Sequence, residues 1–178
     1  MKAKTSCLAL LWLPLFLAGG LAVAGTMQLT SGTLQPNQPI PTKHTGEGAD
    51  TSPPLQWTGA PAGTKSFALI GDDPDAPGRT WVHWVIYNIP ATTSELPEGV
   101  AKTDTVAGAK QGVNDFGKIG YNGPLPPRGH GQHRYFFKLY ALSSELDLKP
   151  RATKKQLEDA MQGKILAHTD LVGTYERK

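Results

Sequence analysis

Two segments place side chains capable of hydrogen-bonding or acid–base chemistry at the beginning of an apolar run. The first is "DDPDAPGRTWVHWVIYNIP" (72–90) and the second is "PPRGHGQHRYFFKLYAL" (126–142). The side chains in question are Asp73, Trp81, His83, His133 and Tyr135. Imidazole and phenol groups donate hydrogen bonds to anions, and a carboxylate can fix the tautomer of a histidine or favour its charged form. Together these residue types indicate a site for a small anion.

Both apolar runs are rich in β-branched and aromatic residues, which is typical of strands. Alternation along a strand predicts one face formed by Trp81, His83, Val85 and Tyr87, and in the second strand one face formed by His133, Tyr135, Phe137 and Leu139. Each strand therefore begins with a polar–aromatic pair and continues with apolar residues. Two such beginnings side by side would enclose a small cavity with aromatic walls, with two imidazoles and an acid at its rim.

Other interpretations of the same residues stay open. A histidine on an aromatic strand is often a core residue, and zinc accepts every ligand type that Asp73, His83, His130 and His133 offer. However, His130 and His133 lie in a glycine-rich stretch rather than on a predicted helix, and no HExxH signature occurs, so we predict no metal and no cofactor. No G-x-S-x-G elbow is present to support a Ser–His–Asp hydrolase. The sequence therefore favours a protein that is not an enzyme.

The first 24 residues are typical of a cleaved signal peptide. Lys2 and Lys4 precede the apolar run "CLALLWLPLFLAGGLAV", which overlaps the small-residue pattern "AVA" at 22–24. A membrane anchor is the alternative, but Pro14 and two glycines interrupt the run and favour removal. The sequence thus predicts a periplasmic or secreted protein whose mature chain, residues 25–178, is a single domain.

Charge and cysteine content exclude several classes of function for that mature chain. Loss of Lys2 and Lys4 would lower the formal net charge from +3 to +1, which gives no electrostatic reason to expect nucleic acid as a partner. Cys7 is the one cysteine and would be lost as well. Thiol catalysis, thiolate metal sites and disulfides are therefore excluded, and the domain must be held together by its core.

Proline and glycine punctuate short apolar runs throughout, which indicates a β-rich fold. The predicted strands are 66–71, 81–89 and 133–142, with weaker ones at 26–32 and 171–177. One helix is predicted after Thr153, which forms a capping box with Gln156. Its apolar stripe would be Leu157, Ala160, Met161 and Ile165. A loop as long as the turn-rich segment 99–127 is usually functional or disordered. Phe116 and Tyr121 favour an ordered loop held against the body of the protein, and a mobile tether is the alternative.

The two chemical segments resemble those of the phosphatidylethanolamine-binding protein family, also called Raf kinase inhibitor-like proteins. The resemblance rests on "DPDAP" (73–77), "WVH" (81–83) and "GPLPPRGHGQHRYFFKLYAL" (123–142) in that order. "TGEGADTSPPLQW" (45–57) and "LVGTYER" (171–177) are similar to the bacterial branch. The resemblance implies a mainly β fold, an antiparallel β-sandwich with a few short peripheral helices and an anion pocket at one end.

The resemblance also assigns roles to individual residues. The ligand-binding set that it implies is Asp73, Trp81, His83, Pro127, His133 and Tyr135. Asp75, Ala76 and Pro77 would shape the pocket, and the Ala76–Pro77 peptide is a candidate for the cis isomer, which proline makes accessible at about 0.5–1 kcal/mol.

These inferences predict an exported binding protein, monomeric or homodimeric, for a small anionic ligand such as a phosphate, a phospholipid headgroup or a carboxylate. One alternative is a protein-interaction module that inhibits a protease or a signalling protein through its loops, especially 112–127. Another is an enzyme that uses the His/Asp pocket for acid–base chemistry. One rigid pocket would serve all three functions, so the sequence alone does not separate them.

Overall fold

The computed structural model describes residues 26–178. Its strands are β1 (Gln28–Thr30), β2 (Leu55–Thr58), β3 (Ser66–Asp73), β4 (Trp81–Pro90), β5 (Glu95–Leu96), β6 (Thr105–Val106), β7 (Ala109–Gln111), β8 (His133–Leu142) and β9 (Ile165–Tyr175). A single α-helix, α1 (Lys154–Met161), precedes β9, and Thr42–His44 form one turn of 3₁₀ helix in this part of the chain. The predicted signal peptide lies outside the described residues.

Two antiparallel sheets face each other across the main core. The smaller sheet has the order β1-β2-β5, and the larger one has the order β6-β7-β4-β3-β8-β9. Leu29, Leu55 and Trp57 of the small sheet pack in one cluster with residues of the large sheet, including Phe67 and Leu139. The prediction of a mainly β antiparallel fold is therefore confirmed.

The three strongest predicted strands correspond to β3, β4 and β8. In the structure β3 and β4 end slightly later than predicted, and β8 has the predicted bounds. The weak prediction at 26–32 shortens to β1, whereas the one at 171–177 becomes β9, which begins six residues earlier at Ile165. The predicted loop 99–127 contains the short strands β6 and β7.

The predicted faces are correct for β8 and wrong for β4. In β8, Tyr135, Phe137 and Leu139 all join the core between the sheets, as alternation requires. In β4, the pairing with β3 steps from Gly71–Trp84 to Asp72–Val82, so His83 is an extra residue in a β-bulge. Beyond the bulge the alternation is inverted.

The bulge separates the two halves of the predicted β4 face. Val85 and Tyr87 pack with Val82 on the outer side of the large sheet, against α1, while Trp84 and Ile86 face the small sheet. Trp81 and His83 keep a common side and line one cavity. Because His83 is an extra residue, its side chain and that of the adjacent Trp84 both point toward the inner side of the sheet.

Helix α1 covers the outer side of the large sheet. Its predicted capping box is confirmed: the N–H of Gln156 donates to the Thr153 hydroxyl at 3.2 Å, and the N–H of Thr153 donates to Oε1 of Gln156 at 2.9 Å. Leu157 and Met161 are buried as predicted. Ile165 is not on this stripe, because the helix ends at Met161 and Gly163 turns the chain at a φ of 70° into β9. Among residues 26–178, no helix is long and apolar enough to cross a membrane.

Removing the capping side chain should weaken the fold by a defined amount. Thr153→Ala leaves the N–H of Gln156 without its acceptor, and we expect the free energy of unfolding to fall by about 1 kcal/mol. Urea denaturation monitored by tryptophan fluorescence measures this. Thr92→Ala, at an exposed turn position, is the matched control and should change stability by less than about 0.5 kcal/mol. Equal stability of the two variants would contradict an energetic role for the cap.

Candidate functional site

A cavity of about 240 Å³ opens at one end of the sandwich. Its lining residues are Asp73, Ala76, Pro77, Trp81, His83, Phe116, Leu125, Pro126, Pro127, His133 and Tyr135. All six residues predicted to bind a ligand are thus brought together around one space. Of the three predicted to shape the pocket, Ala76 and Pro77 line it and Asp75 does not.

The antiparallel pairing of three long strands explains why these residues meet. β3 ends at Asp73, where β4 begins opposite it at Trp81. On the other side of β3, Asp72 lies opposite Phe136 of β8, which places Tyr135 and His133 at the same end of the sheet. The end of β3 and the beginnings of β4 and β8 therefore lie at the same end of the sheet. The loops that follow or precede these strands form the rest of the cavity wall.

A buried carboxylate–imidazole pair forms the floor of the site. Nδ1 of His133 donates to Oδ2 of Asp73 at 2.7 Å, and both side chains are almost inaccessible to solvent. Oδ1 of Asp73 accepts the N–H of Asp75 at 2.8 Å, which closes the turn after β3. Because its Nδ1 carries this hydrogen, His133 has one remaining ring nitrogen, Nε2. That atom lies 2.8 Å from Nδ1 of His130.

His83 has the opposite character from the one predicted. Its Nδ1 donates to the carbonyl of Asn122 at 2.6 Å, and burial lowers the pKa of the imidazole below its ordinary value. Near neutral pH, His83 is therefore uncharged with its hydrogen on Nδ1, and its Nε2 is an acceptor rather than a donor. The edges of the Phe116 and Tyr135 rings pack against it, with centroids 5.3 Å away in each case.

Tyr135 holds a hydroxyl that is buried without a hydrogen-bond partner among the described residues. Burial raises the pKa of this hydroxyl, and nearby Asp73 raises it further through its negative charge and through a contact too long to count as a full hydrogen bond. A buried hydroxyl that bonds to nothing costs roughly 1–3 kcal/mol. Tyr135 is thus a neutral donor that would gain from an acceptor placed in the cavity.

The loop between β3 and β4 is fixed differently from the prediction. Asp75 turns outward and binds Arg134, accepting from Nε at 2.9 Å and from Nη2 at 2.7 Å. The Arg134 guanidinium lowers the pKa of Asp75 to about 2. The Ala76–Pro77 peptide, which was a candidate for the cis isomer, is trans, and no cis bond occurs in residues 26–178. Trans is the intrinsically favoured isomer, and the bonds made by Asp73 and Asp75 already constrain the loop.

The wall opposite β8 comes from residues that sequence reasoning missed: Phe116, Leu125 and Pro126. They belong to the long loop after β7. Their aromatic and apolar character was visible in the sequence, but spacing in an irregular loop does not indicate which side chains point toward a distant strand.

A buried polar network holds this loop in place. Nδ2 of Asn114 donates to Oδ1 of Asn122 at 2.9 Å, and Nδ2 of Asn122 donates to Asp50 at 2.7 Å. The N–H of Gly123 also donates to Asp50, and a Cβ at Gly123 would lie 2.2 Å from the carbonyl oxygen of His44. Only glycine fits this close approach, so the loop is packed against the body of the protein.

The charge balance of the cavity is acidic rather than basic. Among residues 26–178, no lysine or arginine lines it, and Asp73 is the one carboxylate of the lining. Arg79 lies outside, with its guanidinium 5.0 Å from the ring centroid of Trp81 and its Nη1 3.0 Å from Asp115. Positive charge can therefore enter the lining only by protonation of a histidine. In the described part of the chain, no three His, Cys, Asp or Glu side chains converge as a metal site.

Comparisons with known proteins agree with this architecture. The family model described as phosphatidylethanolamine-binding protein matches residues 30–176. A UPF0098 protein of Aquifex aeolicus is 52% identical over 164 residues, covering 92% of this chain and 94% of the relative.

Two crystal structures are also similar. YbcL of Escherichia coli, described as a new member of the mammalian PEBP family, superposes with a TM-score of 0.81 at 37% identity, covering 86% of this chain and 100% of YbcL. A phosphatidylethanolamine-binding protein homologue from Chlamydia trachomatis gives a TM-score of 0.78 at 41% identity, covering 86% of this chain and 99% of the homologue. The chain therefore belongs to the phosphatidylethanolamine-binding protein family.

Proposed function

We propose that this protein is an exported binding protein whose cavity holds a small anionic group, such as a phosphate, a phosphoryl headgroup or a carboxylate. The observation that carries the proposal is the Asp73–His133 pair beside the hydroxyl of Tyr135, which has no hydrogen-bond partner among residues 26–178. These groups lie at the inner end of a cavity with otherwise aromatic and apolar walls. Membership of the family supports a binding role in general, and the cavity chemistry supports the choice of ligand.

Binding of an anion would be coupled to binding of a proton. With His83 neutral and Asp73 ionised, the lining carries a net negative charge unless His133 is protonated. Protonated His133 would keep its Nδ1–H on Asp73 and present its Nε2–H to the ligand, and Tyr135 would supply a second donor. Affinity should therefore rise as the pH falls and His133 takes up a proton.

The acceptor at Nε2 of His83 adds a preference among anions. A ligand that carries its own O–H or N–H, such as a singly protonated phosphate monoester, could donate to this nitrogen while its other oxygens accept from His133 and Tyr135. A fully deprotonated anion could not make that bond. We therefore propose that partly protonated ligands are preferred over permanently deprotonated ones of similar size.

Export is the part of the proposal that rests on the sequence alone. The basic start, the interrupted apolar run and the "AVA" pattern of residues 1–24 support removal of a signal peptide and a periplasmic or secreted location. In that compartment the protein would meet small anions and the headgroups of lipids. A monomer or a homodimer would serve equally, because the cavity is complete within one chain.

One observation favours a second candidate, a protein-interaction module. Phe116 and Leu125 stand at the cavity mouth with 36% and 41% of their surfaces exposed, which is high for large apolar side chains. A partner protein could cover them, as in the inhibitor function considered from the sequence. An acid–base enzyme would need turnover that disappears in both His83→Ala and Asp73→Asn variants, a requirement that separates it from both binding functions.

Calorimetric titration with sulfate at pH 5.5 and 7.5 tests the proton coupling. Sulfate keeps its charge over this range, so any change in affinity comes from the protein, whereas inorganic phosphate changes its own charge and serves as a comparison. We expect sulfate to bind at least about tenfold more tightly at pH 5.5, and His133→Asn to abolish that binding. His168→Ala, which removes an exposed histidine of β9, is the control. Equal sulfate affinity at both pH values would contradict a charged His133.

Tyr135→Phe separates a binding role of the hydroxyl from a structural one. Because the hydroxyl is buried without a partner, its removal should leave the free energy of unfolding unchanged or raise it by up to about 1 kcal/mol. Sulfate affinity at pH 5.5 should fall about tenfold, since a hydrogen bond to a charged group is lost. Tyr140→Phe on the other face of β8 is the matched control. Loss of stability without loss of affinity would overturn the assignment of Tyr135 as a ligand donor.

The apolar mouth should favour anions that carry a hydrocarbon group. Phenyl phosphate can place its ring against Leu125, and we expect it to bind about fivefold more tightly than inorganic phosphate at the same pH. Leu125→Ala should remove most of this preference while leaving inorganic phosphate unaffected. Leu166→Ala is a closely matched control, because Leu166 is 42% exposed on β9. The same preference in all three proteins would show that the mouth takes no part in binding.

A further inference from the structure

We propose that His130 is a pH-operated latch that occupies Nε2 of His133 and releases it when both imidazoles are protonated. The inference rests on the proposed function and adds a mode of regulation to it. Its basis is a continuous line of three side chains. Asp73 binds Nδ1 of His133 at 2.7 Å, and Nε2 of His133 lies 2.8 Å from Nδ1 of His130.

The loop before β8 is built to bring His130 back to His133. Gly129 and Gly131 flank it with φ values of 74° and 84°, in the left-handed region that glycine enters readily. The N–H of His130 donates to the carbonyl of Pro127 at 3.2 Å, which closes the turn. A Cβ at either glycine would meet no atom within 4 Å. His130 itself is exposed, so its ring can leave His133 without disturbing the core.

The positions of the ring hydrogens determine what the contact between His130 and His133 does near neutral pH. The hydrogen on Nδ1 of His133 is fixed by the Asp73 carboxylate, so Nε2 of neutral His133 is an acceptor. His130 then donates its own Nδ1–H to that acceptor. Both ring nitrogens of His133 are engaged in this arrangement, and no part of the imidazole is available to a ligand. The cavity is therefore present, but Nε2 of His133 is already engaged by His130.

Proton uptake reverses the arrangement in two steps. The pair can share a first proton across the N–H···N bond, with Asp73 as counterion. A second proton leaves both imidazoles fully protonated, so two N–H groups and two positive charges face each other at this contact. His130 then turns toward solvent and leaves the Nε2–H of His133 free to donate to an anion. An anion that binds His133 stabilises this open state.

Other charged and titratable groups around His133 do not replace either partner. Asp75 lies near on the β3–β4 loop but is bound by Arg134. His83 on β4 and Tyr135 on β8 line the same cavity without a hydrogen bond to the imidazole. Tyr175 of β9, the residue opposite His133 in the sheet, donates its hydroxyl to Glu47 at 2.6 Å. Asp73 and His130 are thus the two side chains that set the hydrogens of His133.

His130→Ala tests the latch, with sulfate as the probe. Without His130, the anion no longer has to displace a hydrogen bond, so sulfate affinity at pH 7.5 should increase about fivefold. The wild-type protein should take up between one and two protons per sulfate near pH 6, and the variant no more than one, as measured by calorimetry in buffers of different ionisation enthalpy. His168→Ala controls for loss of an exposed histidine elsewhere. Unchanged or weaker binding by His130→Ala at pH 7.5 would overturn the proposal.

A measurement without ligand keeps the two proposals apart. In ¹⁵N-labelled protein, scalar coupling between Nδ1 of His130 and Nε2 of His133 reports the N–H···N bond directly. We expect the coupling at pH 7.5 and its loss at pH 5.5, and its absence at pH 7.5 would refute the latch whatever binds. If the coupling behaves as expected but no sulfate binds at either pH, the proposed anion site fails while the latch stands.

Discussion

The buried carboxylate of Asp73 is the interaction on which the site depends. An ionised carboxylate removed from water must be paired and hydrogen-bonded, because an uncompensated buried charge is strongly destabilising. Here one oxygen accepts the N–H of Asp75 and the other accepts Nδ1–H of His133. These two bonds join the end of β3, the loop that follows it and the beginning of β8. They also fix the tautomer of His133, from which the hydrogen-bonding pattern of the cavity follows.

The density of acids before β4 is explained by the different directions in which they point. Asp72 precedes Asp73 by one position in a strand, so it lies on the other side of the sheet, where Lys138 of β8 and Lys154 of α1 bind it at 2.8 and 2.6 Å. Asp75 points outward and binds Arg134. Asp72 thus connects β3 to α1 and β8, Asp73 forms part of the cavity, and Asp75 connects the loop after β3 to β8.

The sequence predicted those parts of the fold in which the periodic pattern of apolar and polar residues determines the secondary structure and the buried face. Strands β3, β4 and β8, the capping box at Thr153 and the inward face of β8 all follow from local pattern. The faces of β4 did not, because the extra residue at His83 inverts the alternation and nothing in "WVHWVIYNIP" marks its position. The long loop was predicted to be ordered, yet Phe116 and Leu125 could not be assigned to the cavity, because loops have no period that relates sequence spacing to direction.

The residues of the candidate site were predicted from residue types and family resemblance together. What the sequence did not reveal is which ring nitrogens of the histidines donate and which accept hydrogen bonds. Imidazoles were expected to donate to an anion, but donor and acceptor roles depend on which nitrogen is already bonded, and that information lies in partners distant in sequence. Asn122 decides the role of His83 from 39 residues away, and Asp73 decides that of His133 from 60 residues away.

A cavity that lacks lysine and arginine gains a property that a permanently basic cavity does not have. Lysine or arginine would hold anions at all physiological pH values and would form a fixed ion pair with Asp73. Histidine balances Asp73 only when protonated, so the net charge of the cavity depends on whether His133 carries a proton. The bulge at His83 and the turn at Gly129–Gly131 place two further imidazoles next to this pair, one as an acceptor and one at the surface. In the proposed anion site, the arrangement of hydrogens among these groups, rather than the size of the cavity, would therefore determine when an anion is held.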